Sequence, residues 1–135
     1  MKSTIFFLCM VFISSIALSQ SKDTLVLKKY SNGKPHVVVF FKIEDGLHKK
    51  VKENVYYANG NLNYSGEVMD GLEHGKWEHY YEDGTKLSEG SYSYGQENGV
   101  FKTFYPDGRL AESSVYAMGI RKKHRTFQKR KDSSD

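Results

Sequence analysis

The sequence predicts an all-β fold, an elongated single-layer antiparallel meander of hairpin repeats with a period of 24 residues. Three observations predict it. Tyr57-Ala58-Asn59-Gly60, Tyr81-Glu82-Asp83-Gly84 and Tyr105-Pro106-Asp107-Gly108 recur at a step of 24, and a looser copy stands 27 residues earlier at Tyr30-Ser31-Asn32-Gly33. Companions keep the same step: Gly71, Gly95 and Gly119, Gly66 with Gly90, Gly75 with Gly99, and Trp77 with Phe101. Between these marks the residues are aromatic and β-branched, and no window after residue 20 shows helical periodicity.

The first element lies outside the repeats. Lys2 precedes an unbroken apolar run, Ile5 to Ile13, and the small residues Ala17 and Ser19 stand at the −3 and −1 positions before Gln20. This is the pattern of a secretory signal, so residues 1–19 are expected to be removed and the protein exported, to a periplasmic or extracellular destination. The run is short for a membrane span of about 20 apolar residues, and Ser14 and Ser15 interrupt it. Cys9 lies inside the run instead of ending it, which argues against lipid attachment. With the signal removed, the chain would hold no thiol and no disulfide.

Residues 20–119 form the repeat array. Each Asn-Gly or Asp-Gly marks a hairpin turn between strand-like segments. Trp77-Glu78-His79-Tyr80-Tyr81 leads into the clearest turn and Lys86 to Tyr92 leads out of it. Alternation sets Trp77, His79 and Tyr81 on one face and Glu78, Tyr80 and Glu82 on the other. Rings on both faces suit one twisted layer with aromatics packed along it. Gly66 and Gly90 interrupt strands, where a neighbouring ring lying over the missing side chain would account for them. Strands are expected from Thr24 to about Tyr116, roughly eight to ten in all.

Residues 120–135 form a basic tail. Arg121, Lys122, Lys123, Arg125, Lys129, Arg130 and Lys131 face only Asp132 and Asp135, so the tail is +5 and residues 1–120 sum to −1. Such a run reads first as a solvated terminus, then as a contact for anionic lipid, and last as a nucleic-acid contact. Arg125-Thr126-Phe127 offers a competing reading, a last edge strand.

The run from Gly71 to Gly95 resembles the bacterial variant of the MORN repeat: Gly, Gly-x-Trp, Tyr-Tyr-x-Asp-Gly, Leu, Glu-Gly, Tyr. The resemblance covers residues 53–119 well and 28–52 weakly. It fades in the last copy, where Ser114 and Lys123 stand at glycine positions and Arg125 at the Trp/Phe position, as a terminal capping copy would. The pattern is also similar to the YwqK-like family labelled as antitoxins, a label that an export signal fits poorly. The resemblance implies protein–protein contact, assembly scaffolding or phospholipid head groups.

No chemistry of catalysis emerges, and neither an enzyme nor a cofactor is expected. His74 and His79 have Glu73 and Glu78 beside them, but a zinc site needs three or four converging ligands. Gly71 to Lys76 has one residue too few for a phosphate loop, with Trp77 in place of Ser/Thr. Asp83 and Asp107 are turn residues, Glu82 and Glu89 read as solvated, and Ser88, Ser91 and Ser93 lack a nucleophile context. The aromatic surface is the better candidate. Most rings serve to hold the sheet, with Trp77 as packing anchor and also a candidate binding residue. Tyr56, Tyr80 and Phe104, equivalent in three copies, are expected to form a recognition stripe for an unknown protein partner.

Overall fold

The computed structural model describes residues 22–128. The expected signal at 1–19 and the basic residues Lys129, Arg130 and Lys131 lie outside them. The described chain is all β. Strands β1 (Lys22–Lys29), β2 (Pro35–Glu44), β3 (Leu47–Tyr56), β4 (Leu62–Met69) and β5 (Leu72–Tyr80) are followed by β6 (Lys86–Ser93), β7 (Gln96–Glu97), β8 (Gly99–Phe104), β9 (Leu110–Ala117) and β10 (Ile120–Thr126). All belong to one open antiparallel sheet in sequence order, with the short β7 pairing β6 beside the path to β8. The substantial contacts between strands all join neighbours.

The expected meander and strand number hold, and the strands extend beyond the expected range of Thr24 to about Tyr116 at both ends. The sheet starts at Lys22 and runs to Thr126, past the Gly119 limit set for the array. Met118 and Gly119 form a tight turn, and β10 folds back on β9 from Ile120↔Ala117 to Thr126↔Glu112. Charge did not prevent the strand, because an edge position leaves every long basic side chain in water.

Each 24-residue period contains two turns, one at each long edge of the sheet. At one edge the Tyr-x-Asx-Gly segments close with the Gly N–H donating to the Tyr carbonyl, at 2.8–2.9 Å in all four copies. The Tyr N–H in turn donates to the carbonyl one residue beyond the Gly. Gly33, Gly60, Gly84 and Gly108 have positive φ (81, 99, 90 and 80°), the left-handed residue that ends such a loop. Asn32, Asn59, Asp83 and Asp107 each accept the backbone N–H two residues on. At the other edge, two-residue tips carry positive φ at both positions: Asp45-Gly46, Asp70-Gly71, Tyr94-Gly95 and Met118-Gly119. That is the type I′ geometry matched to strand twist.

The described residues form no second layer. Among the described residues the buried apolar side chains are Val38, Val39, Val55 and Trp77. Val38 and Val39 are adjacent on β2 and so point to opposite faces, each covered by neighbours along its own face. The two faces are therefore both functional surfaces in principle, and the rest of the geometry distinguishes them.

Candidate functional site: two faces of one sheet

The first face is aromatic. Val39, Glu53, Gly66, Trp77 and Gly90 stand opposite one another across β2 to β6. The Phe101 ring covers Gly90, and the row continues through Ser114 to His124. A Cβ at Gly66 would overlap the Trp77 indole and one at Gly90 the Phe101 ring, as expected for glycines kept free for rings. Trp77 is 9% exposed, and its Nε1 donates to the Glu67 carbonyl at 2.9 Å. Rings pack in sequence, Tyr64–Trp77–Tyr92–Phe101–Tyr116, with centroids 5.8, 6.1, 5.3 and 5.2 Å apart. A groove of about 140 Å³ lies among Trp77, His79, Ser88, Gly90, Tyr92, Phe101 and Thr103.

Titratable groups on this face are subordinate to packing. Burial pushes the His79 imidazole below its ordinary value, against a smaller opposing pull from Glu73. Its Nδ1 lies 3.2 Å from Ser88 Oγ, and Ser114 Oγ lies 2.9 Å from His124 Nδ1. Both pairs are direct cross-strand partners, so these are side-chain bonds of the sheet. Burial, then the bond to Glu53, pushes the Tyr64 phenol up to about 12. His124, and not Arg125, stands opposite Ser114, because the bulge in β10 skips only Lys122, where the corresponding bulge in β5 skips both Gly75 and Lys76. His74 packs edge-on against Tyr94 at 5.0 Å, with its Nδ1 buried and without a hydrogen-bond partner among the described residues. Among the described residues no three His, Cys, Asp or Glu side chains converge as metal ligands.

The second face is charged. Asn54, Ser65, Glu78, Glu89, Lys102, Ser113 and Arg125 stand opposite one another across β3 to β10. Glu78 and Glu89 are direct neighbours, a pairing that repels unless a cation joins it. Lys86 Nζ does so, at 2.7 Å from Glu78 and 2.9 Å from Glu89. Lys76 extends the ladder to Glu78 at 2.8 Å and Lys102 to Glu89 at 3.3 Å. Lys76 and then Lys86 hold Glu78 below the ordinary carboxylate value, and Lys86 does most of the same for Glu89. The two carboxylates push Lys86 up in return.

The aromatic residues predicted from the sequence divide between these faces. Tyr56, Tyr80 and Phe104 follow Asn54, Glu78 and Lys102 by two positions and share the charged face. Each is half-buried. Lys86 lies 6.0 Å above the Tyr80 ring, and Asn54 Nδ2 donates to the Tyr56 hydroxyl at 3.1 Å. Trp77 lies on the opposite face and cannot belong to the same stripe. Of the basic set, Arg121, Lys122, Lys123 and Arg125 are on β10, all exposed.

Sequence reasoning missed what fixes the stripe. The tyrosine opening each turn motif donates its hydroxyl to the following repeat: Tyr30 to the Tyr56 carbonyl at 2.7 Å, Tyr57 to Tyr80 at 2.8 Å, Tyr81 to Phe104 at 3.0 Å, and Tyr105 to Phe127 at 2.8 Å. The three stripe residues are thus the acceptors of three successive stitches. The recurrence of the tyrosines, at steps of 27, 24 and 24 residues, was the available signal, but a strand position does not reveal where a hydroxyl reaches.

Residues 73–94 and 97–117 match the model of the MORN repeat variant, so the chain carries MORN-variant repeats. The two matches coincide with the β5–β6 and β8–β9 hairpins. Repeats of this kind are generally protein- or membrane-binding modules and typically non-catalytic. No curated protein and no solved structure matches the chain.

Proposed function

We propose that this chain of MORN-variant repeats is an exported, non-catalytic module that binds or scaffolds a protein partner in the cell envelope. One observation carries the reading. Tyr56, Tyr80 and Phe104 recur on one face, and the backbone carbonyl of each is pinned by the tyrosine of the preceding repeat. Alternate strands separate them by about 10 Å. A stripe held in this way loses little freedom on binding, which favours affinity. The Lys76–Glu78–Lys86–Glu89–Lys102 ladder beside it supplies both signs of charge for specificity. Export is supported by the pattern at Lys2 to Gln20.

Affinity capture from the envelope fraction tests the proposal. The tagged chain should retain one or more proteins that the combined Tyr56→Ser, Tyr80→Ser and Phe104→Ser variant loses. Tyr92→Ser, on the aromatic face, should retain them. An unchanged set of captured proteins in the triple variant, with the β circular-dichroism signal intact, would remove the stripe from the binding surface.

A further inference from the structure

The two end strands of the sheet carry different side chains along their open edges. Among the described residues β1 pairs only with β2, so its outer backbone groups have no strand beside them. An edge of this kind is a template for a further strand. Leu25, Val26 and Leu27 follow one another on it at 51%, 38% and 54% exposure. The β1–β2 register passes over Leu27, which leaves that side chain with no residue opposite it on β2. Thr24, Lys28 and Lys29 are exposed as well. So is Asp23, whose Oδ2 lies 3.3 Å from His48 Nδ1. A cleft of about 360 Å³ beside the edge is lined by Asp23, Thr24, Leu25, Phe41 and His48.

Charge selects what fits this edge. Two copies of β1 run antiparallel when a two-fold axis stands between them, normal to the sheet. Opposed residues share a face, and so do the two copies of any one residue, so the axis passes through a residue paired with itself. At Leu25 the axis would set Asp23 against Leu27, and at Leu27 it would set Lys29 against Leu25 and Lys28 against Val26. At Val26 it sets Leu25 against Leu27 of the second copy, Asp23 against Lys29 and Thr24 against Lys28, and symmetry gives each pair twice. The other end of the sheet has no such match. β10 carries Arg121, Lys122, Lys123 and Arg125 without a carboxylate, so it repels a copy of itself. It also repels Lys28 and Lys29, which opposes an open head-to-tail filament.

We infer that two copies of this chain join through their β1 strands, antiparallel about Val26, into one continuous sheet. Backbone bonds along the edge supply the attraction, and the side-chain pairs set the register. Leu27 of each copy comes beside the cleft at Leu25 of the other. Because the axis is normal to the sheet, both charged faces lie on one side and both aromatic faces on the other.

Every contact described for the sheet lies within residues 22–128, so a chain starting at Gln20 retains it without the apolar leader and holds no cysteine. Analytical ultracentrifugation of this chain should show a monomer–dimer equilibrium that stops at the dimer as concentration rises. Asp23→Lys and Lys29→Asp should each weaken the dimer about tenfold or more, since two like-charge pairs replace two opposite ones. Combined, they should restore it, because opposite charges face each other again. Val26→Cys should cross-link into a disulfide-bonded dimer under a mild oxidant, whereas Thr24→Cys, set against Lys28, should not. All four positions are exposed, so at concentrations where the parent is monomeric each variant should melt as the parent does, and a lost dimer is not a lost fold. A parent that stays monomeric, single charge reversals that leave the dimer intact, or a double reversal that stays dissociated overturns the inference. So does Thr24→Cys cross-linking as readily as Val26→Cys.

Discussion

At the scale of single residues, the most informative positions are those with no side chain. Gly66 is a strand glycine with Trp77 directly across it, and the indole occupies the place of a Cβ. Gly66→Ala should therefore cost about 1–3 kcal/mol by overpacking. Trp77→Ala should cost about 3–5 kcal/mol, since the ring is largely buried in an otherwise thin core. The two are coupled: with the indole gone, Gly66→Ala should become nearly neutral. Denaturant unfolding of the four-member cycle checks this, and additivity within about 0.5 kcal/mol would mean that the ring does not cover Gly66. This contact was legible in the sequence because a strand glycine has few uses, and covering by a ring is one of them. The His124–Ser114 pair was not legible. A one-residue bulge moves it away from the 24-residue step, and composition carries no trace of that bulge.

At the scale of elements, the repeats are joined by bonds that the periodicity implied without describing. Tyr81→Phe keeps the ring and removes only the hydroxyl that reaches the Phe104 carbonyl. It should cost about 0.5–1.5 kcal/mol in unfolding, more than the same change at the exposed terminal stitch Tyr105. The two faces of β5 were readable from alternation, which already separated Trp77 from Tyr80; the cross-strand charge ladder needed the register. That ladder gives stability a pH dependence of definite sign. Glu78 and Glu89 are held below their ordinary value of 4.5, so their contribution is complete above that value and is lost as pH falls through their folded values. His79 is also lowered, by burial, which favours its neutral form. For it, the unfolded chain takes up a proton first as pH drops below 6.5, and the fold weakens there. The thermal midpoint should decline in two stages, gently below pH 6.5 and more steeply below 4.5. His79→Gln should flatten the first stage and leave the second, an outcome that a pH series of melts resolves.

At the scale of the whole molecule, a sheet whose substantial strand contacts all join neighbours has stability that is nearly a sum of adjoining pairs, and its ends are its weak points. The two ends differ. β1 exposes Leu25 and Leu27 at 51% and 54%, whereas the described residues of β10 present Arg121, Lys122, Lys123 and Arg125 with a bulge, the devices that keep an edge from recruiting a further strand. The basic run read from the sequence as a solvated tail because it buries almost nothing. An edge strand needs only one partner and backbone bonds, and hydrophobic pattern does not report those. Its removal is therefore a direct test of which reading describes the end of the fold. Ending the chain after Gly119 deletes the β9–β10 pairing, the Ser114–His124 bond and the Tyr105 stitch to Phe127. Half-buried Val115 and Tyr116 lose their covering strand, and β9, with Glu112 as its one charged residue, becomes the edge. The thermal midpoint should fall by about 5 °C or more, given that about 1 kcal/mol moves a domain of this size by roughly 4–8 °C. Ending it after Gln128 instead keeps every one of those contacts and should leave the midpoint within about 1 °C of the full chain. If both truncations melt alike, β10 contributes nothing to the fold, and the array ends at Gly119 after all.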